Sequence, residues 1–213
     1  MATSHSSGSA RNGSPGTRDP QRTRERILAA ALAEFAAKGF AGARVDAIAG
    51  RARINKRMLY HYFGDKEELF REIFRRKLAE RAAWLAAEPE NPEEILAYWF
   101  ELARGDMDWI RLLEWEALQD DSSKLIDEER RMALVASSIA RIRRDQQRGR
   151  LSREFDARQM LLSMIALTAY PLAFPQITRL ITGLSVTDPE FRKRRVAFLQ
   201  RFAVAFQPKG KSA

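Results

Sequence analysis

The chain has 213 residues, 45% of them hydrophobic and none of them cysteine, with a formal net charge of +9. That is enough apolar material for a sizeable core in one or two domains, and it excludes disulfides, thiolate nucleophiles and zinc–thiolate sites. His5 and His61 are the only imidazoles, which argues against a histidine metal site or a Ser-His-Asp triad, and no apolar run reaches the roughly 18 residues that a membrane span needs. The polar start has no apolar stretch of the secretory kind. The positive balance favours a polyanionic partner, with a membrane surface as the other reading.

Residues 1–20 are Ser, Gly, Pro and Arg with almost no apolar side chains, and they read as a disordered basic arm. Such an arm is either a linker or a segment whose Arg11 and Arg18 touch DNA. From Gln21 a helix is signalled by the stripe Ile27, Leu28, Ala31, Leu32 and Phe35, with Lys38-Gly39 as its stop. Val45, Ile48, Ala49 and Ala52 mark a short second helix. After a break at Arg53 and Ile54, Asn55 is placed to cap a third. In that third helix Leu59 and Phe63 face inward. Lys56 with Tyr60, and Arg57 with His61, share the outer side. Two short helices about a tight turn, the second with a basic-aromatic outer face, form a helix-turn-helix with a recognition helix. Asn55, Lys56 and Arg57, at its start, are positioned to reach base edges, whereas Lys66 and the nearby backbone N–H groups suit a phosphate. The Tyr60 and Tyr62 hydroxyls suit phosphate too. Tyr62 has half-burial between Leu59 and Phe63 as its alternative, and His61 is either a contact or a bystander.

Asp65 then caps a fourth helix, with Glu68 as a capping-box partner; Leu69, Phe70, Ile73, Phe74 and Leu78 form its inner side as far as Ala86 or Ala87. It is the natural mechanical link from the helix-turn-helix to the larger, C-terminal part of the chain. Asn91-Pro92 starts a fifth helix through Ile95, Leu96, Trp99 and Leu102, and Met107 to Leu118 forms another. Ser122 or Ser123 is expected to cap a long helix to Arg148, stopped by Gly149, with Leu125, Met132, Val135, Ile139 and Ile142 as its buried stripe. Asp156 begins a helix apolar nearly all round from Met160 to Tyr170, which must be covered on several sides. Pro171 and Pro175 should kink or break it before Ile177 to Thr182. Asp188-Pro189 starts the last helix, with Phe191, Phe198, Leu199, Phe202, Ala205 and Phe206 on one broad side. The expected fold class is all-α, with about nine helices.

The run Leu59-Tyr60-His61-Tyr62-Phe63-Gly64-Asp65-Lys66-Glu67-Glu68-Leu69, with Ile27 to Ala31 and Phe35 to Phe40 before it, resembles the signature of the tetracycline-repressor-type (TetR) transcriptional regulators. The resemblance implies a helix-turn-helix DNA-binding domain at 21–66, a helical ligand-binding and dimerisation domain at 67–207, and a flexible tail at 208–213. It implies a cytoplasmic, nucleoid-associated homodimer on pseudo-palindromic operator DNA, acting as a repressor and released by an unidentified small-molecule effector, with no cofactor, metal or catalysis. Arg44, Asn55, Lys56, Arg57, Tyr60, His61, Tyr62 and Lys66 become the candidate DNA contacts. Phe74, Trp99, Phe100, Met107, Trp109, Trp115, Met132 and Met164 are the soft and aromatic side chains from which an effector pocket would be built. Among the acids Asp108, Glu114 and Glu116, one pointing inward would select a cationic or hydrogen-bonding effector. The chain departs from the family at Arg53, where glycine is usual and a positive φ is expected. It departs again at Ala43-Arg44, where loss of the usual hydroxyl cap should cost about 1 kcal/mol. Three rival readings remain at this point: an architectural DNA binder whose second domain only dimerises, a helical enzyme, and a basic membrane-surface protein.

Overall fold

A computed structural model describes residues 19–118 and 125–208. Among them are ten α-helices, a closing 3₁₀ turn and no strand. The helices are α1 Pro20–Gly42, α2 Val45–Arg51, α3 Lys56–Phe63, α4 Lys66–Ala86, α5 Pro92–Gly105, α6 Met107–Ala117, α7 Glu128–Gln147, α8 Ala157–Ala173, α9 Pro175–Thr182 and α10 Pro189–Ala203. Arg11, Arg18, Ser122 and Ser123 lie outside the described residues.

Local chemistry sets most of the helix starts. Asn55, Asp65, Asn91, Asp156 and Asp188 each accept a backbone N–H from the first turn of the helix they precede. The capping box at Asp65 is only half made: Glu68 turns away to Arg71 (2.7 Å), and the Asp65 N–H goes to the Phe63 carbonyl (2.9 Å). Gly39 is non-helical (φ 67, ψ 177) and breaks α1 at a kink where the stop was expected; one more turn follows to Gly42. The long helix α7 starts at Glu128 behind a left-handed Asp127 that makes no side-chain cap. Pro171 is accommodated within α8, and the chain breaks at Phe174 instead, turning 90° into α9.

The helices build two cores. The first joins α1, α2, α3 and α4 around Ile27, Phe35, Ile48, Leu59, Leu69 and Phe74, and takes in Trp109 and Leu112 of α6. The second joins α5, α7, α8 and α10 around Leu96, Phe100, Ile142, Met164 and Leu199, and takes in Ile110 of α6. Helix α6 therefore belongs to both, so α4 is not the sole link between the halves.

The inner face of α7 differs from the expected stripe. Ile142 is buried and Ile139 half-buried, but Leu125, Met132 and Val135 are exposed. The inward positions are Arg131, Leu134, Ser138, Arg141 and Asp145, whose charges are paired: Arg131 with Glu116 (2.7 Å), Arg141 with Glu88 (2.9 Å), and Asp145 with Arg150. Paired charges bury where single ones do not, so apolar spacing placed Ile139 and Ile142 correctly and missed the charged positions that share the inner face.

Candidate nucleic-acid interface

The α2–α3 unit is held from beneath by its apolar face and from the side by one buried acid. Arg44 precedes α2 without a side-chain cap. Its backbone N–H is directed at Glu34 Oε1 of α1 (3.4 Å), and Glu34 is only 2% exposed. Lys38 binds the same carboxylate at 2.7 Å and Arg51 approaches at 3.8 Å. The Lys38 hydrogen bond, assisted by the Arg44 N–H, holds the Glu34 carboxyl below the usual carboxylate range although burial pushes the other way. The acid on α1 thus holds the backbone just before α2, while the first-turn N–H groups of α2 receive no side-chain cap. Sequence reading passes over it; the available signal is a carboxylate set between Ala31 and Phe35 in an otherwise apolar run.

In the turn, Arg53 stands at φ 53, as its place in the motif implies. Such a conformation costs an arginine about 1 kcal/mol or more. Asn55 Oδ1 then accepts the Met58 N–H at 2.8 Å and starts α3. Leu59 and Phe63 are buried, while Arg57, Tyr60 and His61 are exposed on the opposite side. Lys56 is also exposed but is hydrogen-bonded to Asp46 of α2, which raises its pKa. An ion pair this exposed is easily exchanged for another anion. Tyr62 is half-buried against the first core. Gly64, at φ 75, turns the chain into α4, and there Lys66 lies over the Phe40 ring at 4.7 Å. Arg44, Asn55, Lys56, Arg57, Tyr60 and His61 are all exposed on the α2–α3 unit.

The eight aromatic and methionine side chains assembled for a pocket are not brought together. Phe74 and Trp109 are in the first core, 5.4 Å apart in an edge contact, with Arg81 and Arg131 against the Trp109 ring (4.3 and 5.8 Å). Trp115 packs on Gly39 and donates Nε1–H to the Ala36 carbonyl (3.2 Å). Phe100 is sealed in the second core and Met107 sits at its edge. Met132 is 63% exposed. Only Trp99 and Met164 share a cavity, one of about 20 Å³ whose walls also include Glu88, Arg141, Asp145 and Met160. Trp99 donates to Glu88 at 2.6 Å, and burial pushes the Glu88 carboxyl above the usual range against that hydrogen bond and Arg141. Of the acids in the aromatic segment, Glu116 is turned in, but to Arg131 rather than to this cavity.

Residues 27–73 match the family model described as bacterial regulatory proteins, tetR family, and residues 96–203 match that of the tetracyclin repressor-like C-terminal domain. The chain is 34% identical over 166 residues to the HTH-type transcriptional repressor SCO4008 of Streptomyces coelicolor, covering 78% of this chain and 86% of that protein. It is 28% identical to the HTH-type transcriptional regulator RutR of Escherichia coli K12, over 84% of this chain and 87% of that one. Its structure aligns with the crystal structure of SCO4942 from Streptomyces coelicolor, described as a transcriptional regulator, at a TM-score of 0.73 and 28% identity, covering 87% and 98% of the two chains. The two family matches together span most of the chain, and the exposed edge of α3 falls inside the first of them: the protein belongs to the TetR family of DNA-binding transcriptional regulators.

Proposed function

We propose that this protein is a repressor that binds a pseudo-palindromic operator as a homodimer through α3 and leaves it when a small molecule enters the helical domain. The observation that carries the reading is α3 itself. A short helix is pinned by Leu59 and Phe63, capped by Asn55, and presents Lys56, Arg57, Tyr60 and His61 outward. Arg57 and Lys56 read base edges, and Lys66 with Tyr60 positions the head on phosphate. The domain division at 66/67 and the tail from 208 belong to the same reading.

Dimerisation is supported by apolar surface that one chain leaves uncovered. Leu162 and Ile165 of α8, Leu180 and Ile181 of α9, and Phe198 and Phe202 of α10 are all exposed. A two-fold copy packed across α8 and α10 would cover them and fix the spacing of two recognition helices about 34–36 Å apart. Effector release rests on membership of the family; the Trp99–Met164 cavity, about 20 Å³, has room for little more than one water, so an effector would have to open it.

The DNA reading is tested on an operator selected from random duplexes. Arg57→Ala should lose about 1–3 kcal/mol of discrimination between operator and unrelated duplex. Lys66→Ala should weaken both alike and flatten the dependence of log K on log salt by about 0.9 for each phosphate no longer neutralised. If Lys66→Ala alters base preference while Arg57→Ala does not, the assignment is wrong. The switch is tested with compounds chosen for quenching tryptophan fluorescence. An effector should bind roughly 5–150-fold more weakly in the presence of operator, by the reciprocity of coupled sites. Equal affinity with and without operator leaves the helical domain as a dimerisation scaffold.

A further inference from the structure

The turn between α2 and α3 holds a residue that its backbone disfavours. Arg53, at φ 53, has an exposed side chain, so no apolar packing explains its presence there. Glycine would relieve the strain and leave the buried core untouched. Strain that persists without a packing reason points to what the side chain does.

Its surroundings supply the reason. Arg53, Asn55 and Gly50 form one side of an open, largely polar concavity of about 860 Å³; Asp19, Arg22 and Arg26 at the start of α1 form the other. The concavity lies directly beside the first turn of α3. Arg26 reaches across it to the Arg53 carbonyl at 3.5 Å, and the Asp19 carboxylate is engaged as the cap of α1, accepting the Gln21 and Arg22 N–H groups at 3.0 and 3.3 Å. Other arginines of this head pair with glutamates: Arg24 with Glu72, Arg76 with Glu25, and Arg71 with Glu67. Among the described residues, Arg22, Arg26 and Arg53 have no carboxylate in ion-pair reach. Three arginines line this hollow against one carboxylate, Asp19, which is already engaged with backbone N–H groups, so the hollow carries a net positive charge, and planar guanidinium forks match phosphate oxygens.

We propose that Arg22, Arg26 and Arg53 form a cleft that grips the DNA backbone beside the recognition helix, and that Arg53 holds its strained conformation to place a guanidinium there. The proposal rests on α3 being the DNA-reading helix. It adds a sequence-independent phosphate site on the opposite end of the motif from Lys66.

The test separates stability from binding. Arg53→Gly should raise the thermal midpoint yet weaken binding several-fold, equally for operator and for a short mixed-sequence duplex. The slope of log K against log salt should become less steep by about 0.9 for each phosphate that the cleft ceases to neutralise. Arg53→Lys should retain the wild-type salt slope without the gain in thermal midpoint, and Arg22→Ala with Arg26→Ala should flatten the slope further. An Arg53→Gly protein that is more stable but binds with unchanged affinity and slope overturns the cleft. If Arg57→Ala in the same assay still relaxes sequence preference, α3 reads DNA and only the cleft is abandoned. A wild-type protein that leaves duplex DNA unbound overturns both.

Discussion

Asp106→Ala is expected to lower the unfolding free energy by about 3–5 kcal/mol, the cost of stranding buried charges. Asp106 receives Lys77 Nζ at 2.9 Å and both Arg81 terminal nitrogens at 3.2 and 3.3 Å. The Lys77 and Asp106 side chains are each 11% exposed and that of Arg81 17%. Burial already pushes the Arg81 guanidinium down to about 10 despite Asp106. It stays charged at neutral pH, lying against the Trp84 and Trp109 rings at 4.6 and 4.3 Å. Removing the carboxylate leaves two cations under α6, with only Glu80 near Lys77 at 3.1 Å. A urea titration checks this: the midpoint should fall with little change in slope. Lys77→Met should cost much less, because it removes a charge rather than stranding one. Comparable losses from the two substitutions would mean that packing, not charge pairing, holds α4 against the α5–α6 junction.

Gly39→Ala is the second large effect. At φ 67, ψ 177 the backbone occupies a region open essentially only to glycine, and an added Cβ would lie 2.8 Å from Cδ2 and 2.9 Å from Cε3 of Trp115. The strain is worth about 1–3 kcal/mol and the overpacking a similar amount. A total loss of about 2–6 kcal/mol corresponds to roughly 4–24 °C in thermal midpoint for a chain of this size. The Trp115 ring must move, and its hydrogen bond to Ala36 goes with it. Adding Trp115→Ala should recover the overpacking part and not the backbone part, so the double variant should lie between Gly39→Ala and wild type after correction for Trp115→Ala alone. An unchanged midpoint in Gly39→Ala would show that the kink is not required.

Both effects sit on contacts that no local pattern announces. Asp106 looks like a helix cap, but its carboxylate makes no cap bond and is taken by residues 25 and 29 positions earlier. Trp115 looks like pocket lining, and its partner is 79 positions earlier. The tryptophans cluster in sequence, which suggests one shared site. Trp109 and Trp115 of α6 face the first core and α1, whereas Trp99 of α5 packs against the second core.

What was readable in the chain is what depends on near neighbours. The Asn55, Asp65, Asn91, Asp156 and Asp188 caps are bonds between residues two or three apart. The outer face of α3 follows from the helical repeat, and the positive φ of Arg53 from the family pattern, in which glycine is usual at that place. These fix the all-helical class, the helix-turn-helix and its exposed edge, since each is settled within a turn or two of backbone. The inner face of α7, the role of Glu34 and the small size of the Trp99 cavity were not readable. Each depends on which distant charges meet, and a charged residue faces inward only when its partner arrives from another helix. Hydrophobic spacing carries no record of that partner, so only the packed chain could show it.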